Sequence, residues 1–257
     1  MDVVLTGPPA VVPQCQWDFP DLLTPPKRRR GIDADDSGLL AMGADLQPST
    51  LVHAYRNGIF PWPQDDNSPL PWCSPNPRGL LGLDKLRISH SLSKTMRRSG
   101  WVTTVNRAFS DVMLGCSIRP NGGTWITPEM TAAYTELHLL GWAHSIEVWE
   151  DSELVGGLYG MLLGGVFTGE SMFHRRTDAS KVAFSELALR LLEAGGAFVD
   201  VQLPTPHLDS LGVIAVHRAL FIELLRECRD DDIRLTTDPR PASRIPAEYT
   251  ARAAAMS

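Results

Sequence analysis

The sequence predicts an α+β protein, with a small N-terminal domain followed by a larger domain whose helices flank a mixed sheet. Residues 144–173 read as consecutive strands, "HSIEVWE", "ELVGGLYGMLL" and "VFTGESMF". The turns "EDSE" and "LLGG" join them into an antiparallel meander. A helix, a strand and a second helix follow in "ASKVAFSELALRLLEAGG", "FVDVQL" and "VHRALFIELLREC". Upstream, "PWPQDDNSPLPWCSPNPRG" holds too many prolines for regular structure and marks a domain boundary.

Residues 1–37, with the run Lys27–Arg30, read as a loosely ordered arm with one docked segment around Trp17 and Phe19. Residues 38–76 form the small domain and its Pro-rich linker. Pro48 and Ser49 start a helix there, Leu51, Val52 and Tyr55 share its face, and Gly58 stops it. Residues 77–237 form the larger domain. "HSLSKTMRRSG" is helical, capped by Ser89 or Ser91 and ended by Gly100, and "WVTTVNRAF" is a strand running into a helix. Thr127, Pro128 and Glu129 open another helix as N-cap, first position and first-turn acid. Asp178 caps the long helix, whose apolar face includes Val182, Leu187 and Leu191. The tail, 238–257, reads as disordered.

The bulk numbers are those of a globular protein: 257 residues, 43% hydrophobic and 21% charged. Cys15, Cys73, Cys116 and Cys228 make no C-x-x-C pair, so reduced thiols are expected rather than a disulfide framework or zinc site. No apolar run approaches the ~18 residues that span a bilayer. The N-terminus lacks a basic n-region and is broken by prolines, so it reads as a poor signal peptide, and no membrane partner is expected. Net charge is −6, so binding nucleic acid requires a local basic patch.

Side chains alternate along a strand, so Asp200 and Gln202 share one face of "FVDVQL" while Val199, Val201 and Leu203 take the other. A buried carboxylate needs a partner. With Glu170 on a neighbouring strand, Asp200 would make a negative pocket suited to a guanidinium or ammonium group; the alternatives are a solvent-facing Glu170 and an edge strand with one polar face. Glycines 156, 157, 160, 164, 165 and 169 thin the meander, as if to make room. Trp62, Trp72 and Trp125 lie in or beside Pro/Gly-rich segments, where indoles stack on flat ligands or pin a linker. Lys94, Arg97 and Arg98, with His90 a turn earlier, share a helix face and make a phosphate-binding stripe or a solvated one. No G-x-x-x-x-G-K-[ST], G-x-S-x-G or metal-ligand spacing is present, so no cofactor or metal is expected. A transferase built this way needs an already activated donor.

The meander–helix–strand order is that of GNAT-like, acetyltransferase-type folds, and order alone is an analogy for function. The blocks "GLLAMGADLQPSTLVHAYRNGIFPW", "WCSPNPRG", "GTWITPEM", "GWAHSIEVWEDSELVGGLYG", "FTGESMF", "DASKVAF" and "FVDVQLPTPHLDSLG" resemble the leucyl/phenylalanyl-tRNA–protein transferase family. The resemblance runs from about Gly38 to about Leu225. It implies a bacterial cytoplasmic enzyme, expected to be monomeric, that moves Leu or Phe, with Met a further candidate, from aminoacyl-tRNA to proteins with N-terminal Arg or Lys. The product would enter the N-end rule degradation pathway. On this resemblance Asp200 and Gln202 are the catalytic pair, and Glu170 and Asp200 hold the acceptor; either Asp200 polarises Gln202 to orient the attacking amine, or Asp200 only binds the acceptor and the tRNA ribose hydroxyl shuttles the proton. Trp62, Trp125 and Tyr55 surround the aminoacyl-adenosine. Leu158, Phe167, Met172 and Val199 (or Phe198) shape the amino-acid pocket. His90, Lys94, Arg97 and Arg98 meet the tRNA. His90 stands where relatives carry Arg, and a mostly neutral imidazole holds phosphate more weakly. A coenzyme A-dependent acyltransferase and a non-catalytic adaptor for N-terminal Arg peptides are the competing readings.

Overall fold

The computed structural model describes residues 7–23, 38–63, 69–118 and 124–256; the run Lys27–Arg30 lies outside them. The small domain holds β1 (Leu39–Met42), α1 (Pro48–Arg56), β2 (Phe60–Pro61) and β3 (Pro71–Cys73), with its strands in the order β1-β3-β2. Gly58 follows α1 at φ +75°, which glycine adopts without a Cβ penalty. Trp72 is fully buried and donates from Nε1 to Gly43 O at 2.6 Å, with Phe19 edge-on at 4.9 Å. It is a pin for the linker, not a ligand-stacking indole. Trp17 Nε1 donates to Asp45 Oδ2 at 2.8 Å, fastening residues 7–23 to the same domain.

The larger part contains β4 (Arg78–Gly82), α2 (His90–Arg98), β5 (Val102–Val105), α3 (Phe109–Ser117) and α4 (Pro128–Leu139). The meander β6 (Ala143–Glu150), β7 (Glu153–Leu163) and β8 (Val166–His174) comes next. Then follow α5 (Ala179–Glu193), β9 (Phe198–Gln202), α6 (Pro206–Asp209), β10 (Ile214–Val216), α7 (Arg218–Cys228), β11 (Arg240–Pro241) and α8 (Ile245–Ala254). Eight strands form one sheet in the order β10-β4-β9-β8-β7-β6-β5-β11. The β8–β9 pair is parallel, with α5 as its crossover, and the other neighbours are antiparallel, so the sheet is mixed. One apolar cluster packs α1, α3, α4 and α7 with the small domain on one face; the other packs α2, α5 and α8.

Local chemistry sets the helix starts. Ser89 accepts from Leu92 N–H, and Thr127 from Met130 N–H. Asp178 stands at the α5 start but makes no side-chain cap. Its residue is left-handed at φ +71°, and its carboxylate turns to Lys181 Nζ at 3.0 Å and Thr95 Oγ1 at 3.2 Å. The glycines of the meander mostly admit protein, not ligand. A Cβ on Gly156 would lie 2.6 Å from Ala179 Cβ, and one on Gly157 3.1 Å from Val112 Cγ2. The four cysteines are free thiols, and no described helix is long and apolar enough to cross a membrane.

The tail departs from expectation. Residues 245–254 form α8 instead of a disordered end, with Ile245 and Tyr249 buried one turn apart. Ionic ties carry the chain to that point. Arg190 on α5 pairs with Glu186 at 2.6 Å and donates to Thr236 O and Asp238 O, and Arg244 reaches the same Glu186 carboxylate. Polar composition in the tail concealed these partners, which lie on a distant helix.

Candidate active site

Two β-bulges aim the site residues. β7 and β8 pair as Tyr159↔Ser171 and then Gly160↔Gly169, which leaves Glu170 as the extra residue. A Cβ on Gly160 would lie 2.2 Å from Thr168 O, so glycine is what lets the strands pass there. β4 and β9 pair as Leu80↔Asp200 and Gly79↔Gln202, which leaves Val201 as the extra residue. Across it, a Cβ on Gly79 would lie 2.8 Å from Val201 Cγ2. Gln202 ends this bulge at φ +59°, a left-handed conformation that costs a non-glycine residue about 1–2 kcal/mol. Its backbone N–H donates to Asp200 Oδ1 at 2.9 Å, a charge-assisted bond that offsets that cost.

Glu170 collects the polar groups of three other elements. Tyr55 Oη on α1 and Gln202 Nε2 on β9 donate to its Oε1 at 2.6 and 2.8 Å. Tyr134 Oη on α4 donates to its Oε2 at 3.3 Å, and the two tyrosine hydroxyls also bond to each other. Burial pushes the Glu170 carboxyl up to about 7. The bonds from Tyr55, Tyr134 and Gln202 oppose that rise, and the nearby Asp200 charge adds to it. Both phenols are raised well above 10, by burial first and by the Glu170 charge next.

Two cavities meet at this carboxyl. One, of about 390 Å³, is lined by Phe60, Trp62, Trp125, Glu170, Gln202 and Leu208 among others. The other, of about 130 Å³, is mostly apolar and lined by Leu158, Met172, Phe184, Leu187, Val199 and Val201 around Glu170 and Gln202. A larger space with Phe60, Trp62 and Trp125 in its walls and a small apolar pocket therefore share Glu170 and Gln202.

The geometry brings together Glu170, Gln202, Trp62, Trp125, Leu158, Met172 and Val199. It sets several expected residues elsewhere. Asp200 is fully buried, and both its oxygens are engaged. Arg78 Nε and NH2 donate to them at 2.7 and 2.6 Å, and Thr168 Oγ1 at 3.2 Å. Asp200 therefore makes no face of a negative pocket and does not polarise the Gln202 side chain, because its bond is to the Gln202 backbone. Tyr55 is buried behind Glu170 and holds that carboxyl instead of lining the larger cavity. Phe167 and Phe198 are buried in the core and do not line the small pocket. His90, Lys94, Arg97 and Arg98 are all exposed along α2, and Arg97 leans on Ser93 Oγ at 2.8 Å.

Sequence reasoning missed Arg78 and Tyr134. The signal for Arg78 was a lone cation opening the apolar strand "RGLLG", the counterpart of the lone carboxylate in "FVDVQL". For Tyr134 it was a phenol on the helix face shared with Met130 and Leu137. Among the described residues, no group of three or more His, Cys, Asp or Glu is arranged to hold a metal.

The α+β scaffold thus presents two cavities that share the Glu170 carboxyl, held by two phenols and an amide. The family model described as leucyl/phenylalanyl-tRNA protein transferase matches residues 80–226, and the model for that family's N-terminal domain matches residues 44–76. A leucyl/phenylalanyl-tRNA–protein transferase of Shewanella sp. strain W3-18-1 is 50% identical over 216 residues, 83% of this chain and 89% of the relative. That of Shewanella oneidensis is 48% identical over 216 residues, covering the same shares. Among solved structures, L-PGS from Bacillus licheniformis aligns with a TM-score of 0.38 and 14% identity, covering 58% of this chain and 48% of that one. The chain belongs to the leucyl/phenylalanyl-tRNA–protein transferase family and is an enzyme, an aminoacyltransferase.

Proposed function

We propose that the enzyme transfers leucine or phenylalanine, with methionine as a further donor, from charged tRNA to the α-amine of proteins beginning with Arg or Lys. The product is a new N-terminus recognised for degradation by the N-end rule. On this reading the protein is a cytoplasmic monomer with a GNAT-like catalytic domain over 77–237, the small domain supplying Trp62. The meander leading into β8, α5 and the parallel strand β9 supports the GNAT-like assignment.

The observation that carries the reading is the junction of the two cavities at Glu170 and Gln202. The terminal adenosine stacks between the Trp62 and Trp125 walls, and the aminoacyl side chain enters the pocket of Leu158, Met172 and Val199. This sets the ester carbonyl at the junction. Methionine adapts that pocket to a branched or an aromatic side chain. The donor is already activated, so the bond changes are simple. The acceptor nitrogen attacks the ester carbon, the C–N bond forms, the C–O bond to the ribose breaks, and the amine proton passes to the departing ribose oxygen. The neighbouring ribose hydroxyl is well placed to relay it. Ionised Glu170 holds the cationic side chain of the acceptor, which favours its charged form once the acceptor binds. Gln202, anchored to Glu170 through Nε2, presents its amide oxygen to the attacking amine. Alignment of two bound substrates supplies much of the rate. The stripe on α2 holds the tRNA backbone.

The test mixes the protein with Leu-tRNA and an Arg-initiated peptide, without ATP, and weighs the peptide. A gain of one leucine is the expected result. Tight peptide binding with no gain favours an adaptor, and acylation from an acyl-coenzyme A favours the alternative transferase.

A further inference from the structure

Arg78 is 1% exposed, and the contacts of its guanidinium reach both the small domain and the larger part. On one side Nε and NH2 grip the Asp200 carboxylate at 2.7 and 2.6 Å. On the other, NH1 donates to Gly58 O at 3.3 Å, and the guanidinium lies 5.0 Å from the Phe60 ring centre. The Phe221 ring of α7 covers it at 4.3 Å. Phe60 is two residues before Trp62, whose N–H is fixed to Pro71 O at 2.9 Å. Asp200 is two residues before Gln202, whose left-handed backbone it holds through the N–H bond.

We propose that Arg78 is a positioning residue for the transfer, setting the Trp62 wall of the large cavity against the Gln202–Glu170 wall. A buried ion pair is weak evidence for stability, since apolar residues of similar size serve as well or better. Its geometry is what such residues cannot reproduce. A planar fork fixes both oxygens of Asp200 while a third nitrogen and the ring contacts fix Gly58 and Phe60. Asp200 thereby acts through the Gln202 backbone, and the Gln202 amide stays on Glu170. Lysine, with one compact charge, cannot satisfy both units at once.

The inference rests on the proposed transfer reaction, and its readouts separate the two. The first variant is Arg78→Lys, and the second is the double variant Arg78→Met/Asp200→Leu, which leaves no buried charge unpaired and so preserves folding. Transfer of labelled leucine to an Arg-initiated peptide is measured at saturating substrates, per folded molecule by circular dichroism. The Glu170 carboxyl is titrated by carbon-13 NMR in the free protein, its signal identified with Glu170→Gln. In Arg78→Lys the Gln202 amide drifts from Glu170, and the Glu170 midpoint rises by roughly half a unit or more as a bond to its charged form is lost. In the double variant kcat falls at least about tenfold. An unmoved midpoint in the lysine variant, or a double variant within about twofold of the unaltered enzyme, overturns the proposal. An unaltered enzyme that transfers nothing counts against the reaction, and the midpoint still reports on Arg78.

Discussion

The Tyr55→Phe substitution tests the electrostatics of the site with one atom. Tyr55 Oη donates to Glu170 Oε1 at 2.6 Å. A hydrogen bond to a charged group is worth about 1.5–3 kcal/mol, and 1.36 kcal/mol corresponds to one pKa unit. Removing the hydroxyl therefore raises the Glu170 midpoint from about 7 by roughly one to two units, the lower end applying if Tyr134 moves closer. Kinetics alone would blur this, because the acceptor amine itself titrates near ~8. Carbon-13 NMR of the Glu170 carboxyl in the free protein reads it directly. Stability supplies a second measure. The folded midpoint lies above the ordinary 4.5, so this group's contribution is complete below 4.5 and is lost as pH rises through about 7. Urea midpoints of the unaltered protein fall across that window, and Glu170→Gln removes this part of the slope. A Glu170 midpoint that stays put or falls in Tyr55→Phe refutes the assignment of that phenol as donor to the carboxylate.

Two further outcomes follow from the same geometry. Replacing Lys94, Arg97 and Arg98 by alanine lowers the salt-dependence slope of tRNA binding by about 2, measured by titration at several salt concentrations; an unchanged slope leaves α2 a solvated face. Deleting residues 245–257 removes the burial of Ile245 and Tyr249 and lowers unfolding free energy by about 3 kcal/mol in urea, whereas a disordered tail would be removed without effect.

The charge balance at the site changes what the acceptor meets. Two carboxylates side by side would hold a cation strongly but would also repel each other. Arg78 instead takes up Asp200 in a buried pair, and Glu170 is left as the carboxyl that lines both cavities. On the proposed reading, a single carboxyl with a midpoint near neutrality responds to its ligand: a guanidinium or ammonium beside it would favour its ionised form, and a departing product would release it. Recognition of the acceptor and the ionisation of Glu170 are on this account one coupled event.

How much of this the sequence carried depends on whether a signal is local. Helix starts at Thr127-Pro128 and Ser89, the meander and the strand bearing Asp200 follow from periodicity and caps within a few residues, and the structure has them. The alternation rule also set Asp200 and Gln202 on one face, and there it fails, because alternation assumes an unbroken pleat. The extra residue Val201 and the left-handed Gln202 break it. The one-dimensional trace of that break was Gly79, far away in the sequence on β4, whose missing Cβ admits Val201 across the strand pair. The burial of Asp200 likewise depends on Arg78, which reads locally as an ordinary surface cation at a strand start. Glycine thinning in β7 was visible but ambiguous, since room for α5, for α3 and for the Glu170 bulge leaves the same pattern. A bulge is thus written as two marks on different strands, and pairing the strands turns those marks into a site.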